Sequence, residues 1–283
     1  MRKLSIITIN YNNLEGLKRT VESVVNQTWK EFEYVVIDGG SSDGSAEYIE
    51  SQNDKIDYWI SESDSGVYNA MNKGIDVASG EYLLFLNSGD HLFNDEVLLK
   101  CNVNLTFYDL ITFNIQIIDD KCSKIICYPD KLRFSYLYFN AVCHQSTFIK
   151  KELFAFVGLY DENLKIASDW KFMILALFKY NYSYCKVNET LAAYYLDGIS
   201  SDKENREILD NERKYVLEKY FEPYLLDYKL FATADSNSRL LQTNRFKMLQ
   251  EIEKTILGKK IISLFFRLYL VLFSKKKIKE VLD

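Results

Sequence analysis

Residues 34–43 read Tyr34-Val35-Val36-Ile37-Asp38-Gly39-Gly40-Ser41-Ser42-Asp43, an apolar run that passes directly into a carboxylate and turn residues. Two other stretches have the same form: residues 4–9 end at Asn10-Tyr11, and residues 82–86 end at Asn87-Ser88-Gly89-Asp90. A continuous Val, Ile and Leu run bounded by turn residues indicates a strand buried on both faces, as in a parallel sheet covered by helices. Because ligands bind beyond the carboxyl ends of such strands, these endings predict a site for a polar ligand.

Helical patterns alternate with these strands. They are predicted over residues 14–25, 45–50 and 67–77, with Asn13 as the N-cap of the first helix and a short strand over residues 58–60. This alternation predicts an α/β fold with a Rossmann-like, mostly parallel sheet flanked by helices.

After residue 98 the pattern becomes less regular. The predicted strands are 109–118, 184–187 and 191–195, the predicted helices are 151–157, 169–180 and 203–220, and residues 128–140 read as irregular and rich in aromatic side chains.

The composition excludes several classes of protein. A hydrophobic content of 48% over 283 residues allows a sizeable core, and a net charge of −5 gives no indication of nucleic-acid binding. Five cysteines without a Cys-x-x-Cys motif and only two histidines argue against a structural zinc site and favour free thiols in a reducing compartment. The N-terminus lacks the pattern of a signal peptide, so we expect a cytoplasmic protein.

The chain has no glycine-rich loop for a diphosphate. The first strand is followed by Asn10-Tyr11-Asn12-Asn13, where a dinucleotide site would need Gly-x-Gly-x-x-Gly, and no Walker A sequence is present. A divalent cation on a carboxylate is the alternative way to neutralise a diphosphate, and Asp90 is placed to hold one.

Six stretches carry a resemblance to a known family. In chain order they are LSIITINYN (4–12), VIDGGSSDG (36–44), GVYNAMNKGI (66–75), FLNSGD (85–90), HQS (144–146) and ASDW (167–170). Together they resemble the family 2 glycosyltransferases of the GT-A fold, near the bacterial polysaccharide enzymes of the colanic-acid and capsule type.

The resemblance implies a domain plan and an activity. Residues 1–205 would form the GT-A catalytic domain, with a nucleotide-sugar half (1–100) and an acceptor half (101–205), and residues 206–283 a C-terminal helical extension. The implied reaction is the inverting, metal-assisted transfer of a sugar from a nucleotide-sugar, UDP-linked, to a saccharide or polyprenyl-linked acceptor in surface polysaccharide synthesis. A degenerate GT-A scaffold that binds nucleotide-sugar without turnover and a sugar nucleotidyltransferase are the alternatives; the latter usually needs a basic glycine-rich loop, which is absent.

The resemblance also assigns the donor site. Asp38 would accept the N3–H of a uracil-type base, the alternative being a turn residue that caps the next helix. Asp43 is open between a nucleotide contact and a helix cap. Asp90 matches the last acid of the family's Asp-x-Asp-Asp pattern and would hold Mg²⁺ or Mn²⁺, while Asn87 and Gly89 replace the two earlier acids. The other implied donor contacts are Thr8, Asn10, Tyr11, Asn72, Lys73, Ser88 and His144.

The acceptor side rests on residues further along the chain. Asp169 matches the family's catalytic base, which takes the proton of the attacking hydroxyl; the alternative is a helix cap. Trp170 is open between stacking on the acceptor sugar and core packing. Residues 197–201 (Asp197-Gly198-Ile199-Ser200-Ser201) read as a loop that closes over the donor.

The C-terminal tail differs in charge from the rest of the chain. From Lys254 onward there are eight Lys and Arg residues against two acids, and the body is correspondingly acidic. The apolar run 261–273, interrupted by Arg267, is shorter than the roughly 20 residues needed to cross a bilayer. It predicts an interfacial helix on an anionic membrane at the inner face of the cell membrane, or else a helix packed on the catalytic domain or on a second subunit of a homo-oligomer.

Overall fold

The computed structural model describes residues 2–105, 107–119, 122–196 and 203–273. The chain divides into two compact units, Met1–Val216 and Leu217–Asp283. The strands are β1 (Leu4–Asn10), β2 (Phe32–Asp38), β3 (Tyr58–Ser61), β4 (Tyr82–Phe85), β5 (His91–Leu92), β6 (Leu110–Ile118), β7 (Ser123–Ile126), β8 (Thr147–Lys150) and β9 (Tyr184–Tyr195). The helices are α1 (Leu14–Val25), α2 (Ser45–Ser51), α3 (Val67–Val77), α4 (Val97–Cys101), α5 (Phe134–Phe139), α6 (Leu153–Val157), α7 (Ser168–Phe178), α8 (Arg206–Gln242), α9 (Asn244–Ile252) and α10 (Ile256–Phe273).

The N-terminal half of the sheet is parallel, as the sequence predicts. Strands β3, β2, β1 and β4 lie side by side, and the register of β1 and β2 ends with Asn10 opposite Asp38. Helices α1 and α3 begin and end at the predicted residues, and Asn13 caps α1 by accepting the Gly16 N–H at 3.1 Å. The polar endings of β1, β2 and β4 therefore meet at one edge of the sheet.

The second half makes the sheet mixed. Strand β8 lies antiparallel between β4 and β6, β7 pairs antiparallel with β6, and β5 pairs antiparallel with β9, whereas β9 runs parallel to β6. The connection from β6 to β7 spans residues 119–122, and so short a connection joins only antiparallel strands.

Three predicted elements in this half are wrong in extent. Residues 184–187 and 191–195 belong to one strand, because the exposed pair Asn188-Glu189 lies where the β6–β9 ladder shifts register and not in a turn. The stretch predicted as irregular contains α5, whose Leu137 is fully buried. The helix predicted to stop at residue 220 runs through Pro223 to Gln242, since one missing backbone donor does not end it.

The core is built on both faces of β1. Every residue of β1 is buried, and Leu17, Val21 and Val24 of α1 are fully buried in the same apolar cluster. Each such side chain contributes about 1.5–3 kcal/mol to stability. Helix α3 approaches β1 so closely that a Cβ on Gly74 would lie 2.5 Å from Ile7 Cγ2, which fixes the start of α3 beside the end of β1.

The second unit is helical. It contains the rest of α8, then α9, capped by the Thr243 hydroxyl accepting the Phe246 N–H at 3.3 Å, and α10. Within the described ranges, no helix has both the length and the apolar character that crossing a membrane requires.

Candidate active site

A cavity of about 800 Å³ opens beyond the carboxyl ends of β1 and β4, in the first unit. Of the predicted site residues, those that line it are Asn10, Tyr11, Ser88, Asp90, His144 and Asp169. Two adjoining loops complete the wall, one carrying Ser63 and Asp64 and the other carrying Lys165 and Ile166. The structure therefore brings the proposed donor-side and acceptor-side residues to one cavity.

Asp38 lies behind the cavity wall and not in it. Its side chain is fully buried and accepts four hydrogen bonds: from Asn10 Nδ2 (2.7 Å), from the Ser41 Oγ (2.6 Å) and N–H (2.9 Å), and from Ser61 Oγ (2.6 Å). Burial alone would raise the pKa of Asp38, but these bonds outweigh it and hold the pKa below its usual value.

Asn10 connects Asp38 to the cavity. Both its contacts with Asp38 and Ser41 use the amide nitrogen, which directs the amide oxygen elsewhere. That oxygen is buried and has no hydrogen-bond partner among the described residues, on a side chain only 3% exposed. Since an unpaired buried acceptor costs about 1–3 kcal/mol, Asn10 Oδ1 is suited to receive a donor from a ligand.

Two other predicted donor contacts at this edge have structural partners. Thr8 is fully buried, and its hydroxyl bonds to the Tyr34 OH at 3.1 Å, so it does not reach the cavity. Asp43 accepts the N–H groups of Leu14 (2.8 Å) and Ser45 (3.1 Å), which ties the start of α1 to the start of α2. These contacts with backbone N–H groups at helix starts are those expected if Asp43 is a helix cap.

Asn72 and Lys73 also face away from the cavity. Asn72 donates to the Tyr160 carbonyl (2.9 Å) and accepts the Tyr160 N–H (3.0 Å), which holds α3 to the loop before α7. Lys73 pairs with Glu62 (2.7 Å) and donates to the Ser63 carbonyl (3.2 Å), which supports the loop that carries Ser63 and Asp64.

Asp90 is held on two sides. Its Oδ2 accepts from Gln145 Nε2 at 2.8 Å and its Oδ1 accepts the Tyr195 N–H at 3.3 Å, and the residue is 6% exposed. A tight turn closed by the Asp90 N–H on the Asn87 carbonyl (3.1 Å) brings Asn87 beside it. Asn87 lines the cavity, and its Oδ1 is buried without a hydrogen-bond partner among the described residues.

These residues fit a divalent cation that is completed by substrate. In the described ranges, no group of three or more His, Cys, Asp or Glu side chains forms a protein cage for a metal. Mg²⁺, however, is commonly bound through one or two protein oxygens together with substrate phosphates and water. Asp90 and the unpaired Asn87 Oδ1 supply such oxygens.

Asp169 lies in the first turn of α7 and its carboxylate has three side-chain or backbone partners. Its Oδ1 accepts from the Tyr68 OH (3.1 Å) and the Trp170 N–H (2.8 Å), and its Oδ2 lies 3.1 Å from His144 Nδ1. Burial would raise the pKa of Asp169, but the hydrogen bonds from His144, Trp170 and Tyr68 outweigh burial and leave the pKa below its usual value. A carboxylate has about four acceptor positions, so one remains for a ligand.

The loop before Asp169 is fixed by a residue that sequence reasoning missed. Glu212 of α8 accepts three consecutive backbone N–H groups, from Lys165 (2.6 Å), Ile166 (3.0 Å) and Ala167 (2.9 Å). A carboxylate on a distant helix gives no local sequence signal for such a role, because the contact spans more than forty residues.

The burial and contacts of Trp170 decide between its two proposed roles, stacking on the acceptor sugar and packing in the core. Trp170 is 2% exposed, donates to the Leu137 carbonyl at 2.8 Å and lies 5.0 Å under the Arg213 guanidinium, so it is a core residue and not a stacking surface. Burial lowers the pKa of Arg213, although the charges of Asp169 and Asp210 oppose that shift. The predicted closing loop, residues 197–201, lies outside the described residues.

The comparisons with known proteins agree with this geometry. The profile of the family described as "Glycosyl transferase family 2" matches residues 5–122. An uncharacterized glycosyltransferase of Mycobacterium tuberculosis is 36% identical over 182 residues, which cover 61% of this chain and 68% of that protein. The chain belongs to glycosyl transferase family 2.

Other relatives of this glycosyltransferase extend the picture. A PGL/p-HBAD biosynthesis glycosyltransferase of Mycobacterium bovis is 29% identical over 181 residues, covering 60% of this chain and 68% of the relative. TarS of S. aureus, solved with UDP-GlcNAc, superimposes with a TM-score of 0.59 at 17% identity, over 89% of this chain and 79% of that one. A mannosyltransferase of Pyrobaculum calidifontis, solved with GDP-Man and Mn²⁺, gives 0.54 at 12% identity, over 97% and 88%. The predicted GT-A fold is confirmed.

Proposed function

We propose that this glycosyltransferase moves a sugar from a UDP-linked donor to a hydroxyl of a saccharide or lipid-linked saccharide, with inversion at the anomeric carbon. The observation that carries the proposal is that Asp90 and Asp169 line one cavity but are held by different elements. One carboxylate is therefore available to the donor diphosphate while the other is available to the acceptor hydroxyl.

The base of the donor would lie at the end of β1. The Tyr11 ring is 66% exposed on the cavity and offers a face for stacking. The unpaired Asn10 Oδ1 accepts the imide N–H of a uracil, and Asp38 fixes the orientation of that amide from behind. TarS was solved with UDP-GlcNAc and the Pyrobaculum enzyme with GDP-Man, so UDP and GDP are the two nucleotides whose binding distinguishes the donors.

The diphosphate would lie near the β4 turn. Asp90 and Asn87 would hold Mg²⁺ or Mn²⁺, which when bound neutralises the charge that develops on the departing diphosphate. Gln145 and the Tyr195 N–H keep the Asp90 carboxylate oriented for this role. Ser88 lines the same wall, with its carbonyl held by Asn13 Nδ2 at 3.2 Å.

The acceptor hydroxyl would lose its proton to Asp169. An inverting transfer passes through an oxocarbenium-like transition state and needs a base on the face opposite the leaving group. Asp169 is ionised at neutral pH because its pKa is lowered, and one of its acceptor positions remains for the incoming hydroxyl.

The acceptor class is proposed from the tail. At 100° per residue, Lys259, Lys260, Ser263 and Arg267 of α10 fall within about 100° of arc on a helical wheel. Apolar side chains occupy the opposite arc and are exposed, among them Leu257, Ile261, Leu264, Phe265 and Leu268 at 52–68%.

A narrow cationic face opposite a wide apolar one suits a helix lying at an anionic membrane surface. We therefore propose a peripheral membrane protein at the inner face of the cell membrane, acting on polyprenyl-linked saccharides. The lysines at 275–277 and 279, which the tail prediction also uses, lie outside the described residues.

Calorimetry of UDP and GDP binding, with and without Mn²⁺, tests the donor assignment. We expect UDP to bind more tightly than GDP, EDTA to weaken binding, and Asp90→Ala to remove the metal effect. Asp76→Ala, which deletes an exposed carboxylate of α3 outside the cavity, is the control for loss of one charge. Tighter GDP binding would contradict the UDP assignment, and equal metal dependence of Asp90→Ala would contradict the metal role.

A further inference from the structure

Residues His144–Ser146 form a single 3-10 turn that leads directly into β8. The hydroxyls of Ser146 and Thr147 both donate to the Cys143 carbonyl, at 3.0 and 3.2 Å, and the Cys143 N–H donates to the Tyr128 OH at 3.1 Å. Since β8 pairs with β4 and β6, the turn is anchored inside the sheet.

Adjacent side chains of this turn reach the two carboxylates of the cavity. Gln145 donates to Asp90 at 2.8 Å, and His144 Nδ1 lies 3.1 Å from Asp169. The carboxylates themselves come from the turn after β4 and from the first turn of α7. Because consecutive Cα atoms are about 3.8 Å apart, both carboxylates are contacted from one short, anchored segment of backbone.

The hydrogen-bond pattern assigns the tautomer of His144. Its Nε2 is buried without a partner among the described residues. A proton on Nε2 would leave a buried N–H unsatisfied and would set the Nδ1 lone pair against the Asp169 carboxylate. We therefore assign the proton to Nδ1, where it donates to Asp169, so that His144 orients the carboxylate.

We propose that His144 and Gln145 are a pair of positioning residues that together fix the separation of Asp169 and Asp90. This inference rests on the proposed roles of those two carboxylates. In an inverting transfer the attacking hydroxyl and the leaving diphosphate lie on opposite faces of the sugar, and a misplacement of about 1 Å costs roughly 10²-fold in rate. Because His144 and Gln145 are adjacent and contact one carboxylate each, they keep the separation of Asp169 and Asp90 constant, although the two carboxylates lie on separate elements.

Two substitutions test the contact of His144 with Asp169: one removes the N–H donor and the other keeps a donor at the same position. His144→Leu removes the donor, and we expect kcat to fall roughly 10–100-fold while the affinity for UDP is kept. His144→Asn restores an N–H donor at the δ position and should recover most of the loss. If His144→Asn is as impaired as His144→Leu, the Nε2 atom is the functional group and positioning through Nδ1 is overturned.

A spectroscopic readout tests the same contact without turnover. The carboxyl ¹³C signal of Asp169, assigned with Asp169→Asn, should titrate at higher pH in His144→Leu than in the wild type, because the lost donor favoured the charged form. His144→Asn should stay near the wild type. An unchanged titration in His144→Leu overturns the contact, whereas failure of the proposed base would appear separately, as an active Asp169→Asn.

The Gln145 half is tested by ligand binding. Gln145→Met keeps the side-chain length without the donor, and we expect Mn²⁺-dependent UDP binding to weaken about 10–100-fold, as for other residues that orient a metal ligand. Gln116→Met, on β6 outside the cavity, is the matched control and should leave that affinity unchanged. Wild-type UDP and Mn²⁺ affinity in Gln145→Met overturns this half of the inference.

Discussion

Replacing Asp169 with asparagine separates a catalytic base from a helix cap. The amide keeps the size of the carboxylate and can keep Oδ1 facing the Trp170 N–H, which is 2.8 Å away in the wild type. Its NH₂ group then meets the Nδ1–H of His144 in place of Oδ2. We expect one unsatisfied donor and a loss of about 1–3 kcal/mol in the free energy of unfolding.

The catalytic loss should be larger than the structural one. Removing a general base lowers the rate by roughly 10²–10⁴-fold, which corresponds to about 2.7–5.5 kcal/mol in activation free energy. A domain with a stability of about 5–15 kcal/mol remains folded after the structural loss, so kcat reports the chemistry. Donor affinity should be kept, because the base acts on the acceptor.

The assay is release of UDP at saturating donor and acceptor, with urea unfolding of each variant. Asp161→Asn is the matched control: Asp161 also has a lowered pKa, pairs with Lys171 of α7 at 2.6 Å, and lies outside the cavity. It should lose stability but little turnover. Near-normal kcat in Asp169→Asn, or an equal loss in Asp161→Asn, would refute the reasoning and leave Asp169 as a cap.

Three other predictions follow from the contacts. Asp38→Asn should lower the free energy of unfolding by about 1–3 kcal/mol at pH 7. The pKa of Asp38 is lower in the folded than in the unfolded protein, so its contribution is full above the unfolded pKa and is lost as the pH falls through the folded pKa. The urea unfolding curves of the wild type and Asp38→Asn should therefore converge in acid. Glu212→Gln should lower kcat without changing UDP affinity, since it weakens three N–H contacts beside Asp169. Glu207→Gln, exposed on the same helix, should leave kcat unchanged, and equal kcat values in the two variants would contradict the positioning role. Replacing Lys260 and Arg267 with glutamine should weaken binding to vesicles with anionic lipid by roughly 30-fold, from about 1 kcal/mol per cation lost. Lys247→Gln, exposed on α9, is the control, and indifference to vesicle charge would favour a packing helix instead.

Local patterns were sufficient for the first half of the fold. The apolar runs before Asn10 and Asp38, and the spacing of α1 and α3, depend on neighbours in sequence, so the parallel strands and their helices were predicted closely. The strands β5, β7 and β8 were missed because they are short, and β5 and β8 also pair with strands distant in sequence, whereas β7 forms a hairpin with β6.

For the candidate site, as for the fold, features that depend on neighbours in sequence were predicted and those that depend on distant contacts were not. The cavity holds Asn10, Tyr11, Ser88, Asp90, His144 and Asp169 as the sequence predicted. Sequence reasoning could not assign Thr8, Asn72 or Lys73 to their structural partners, because the side a residue faces depends on tertiary contacts. The contacts of Gln145 with Asp90 and of Glu212 with the loop before Asp169 were not predicted, because they join residues distant in sequence.

The hold on Asp90 has a consequence for synthesis of the protein. Two of its carboxylate contacts, with Gln145 and with the Tyr195 N–H, join it to residues 55 and 105 positions further along the chain. The parallel strands β1 to β4 have local connections and can form early on the ribosome, but pairing of β9 with β6 must wait for the later segments. A nascent chain in which only β1 to β4 have folded therefore lacks the Gln145 and Tyr195 contacts to Asp90, and we expect it to bind a nucleotide-sugar less tightly than the complete first unit.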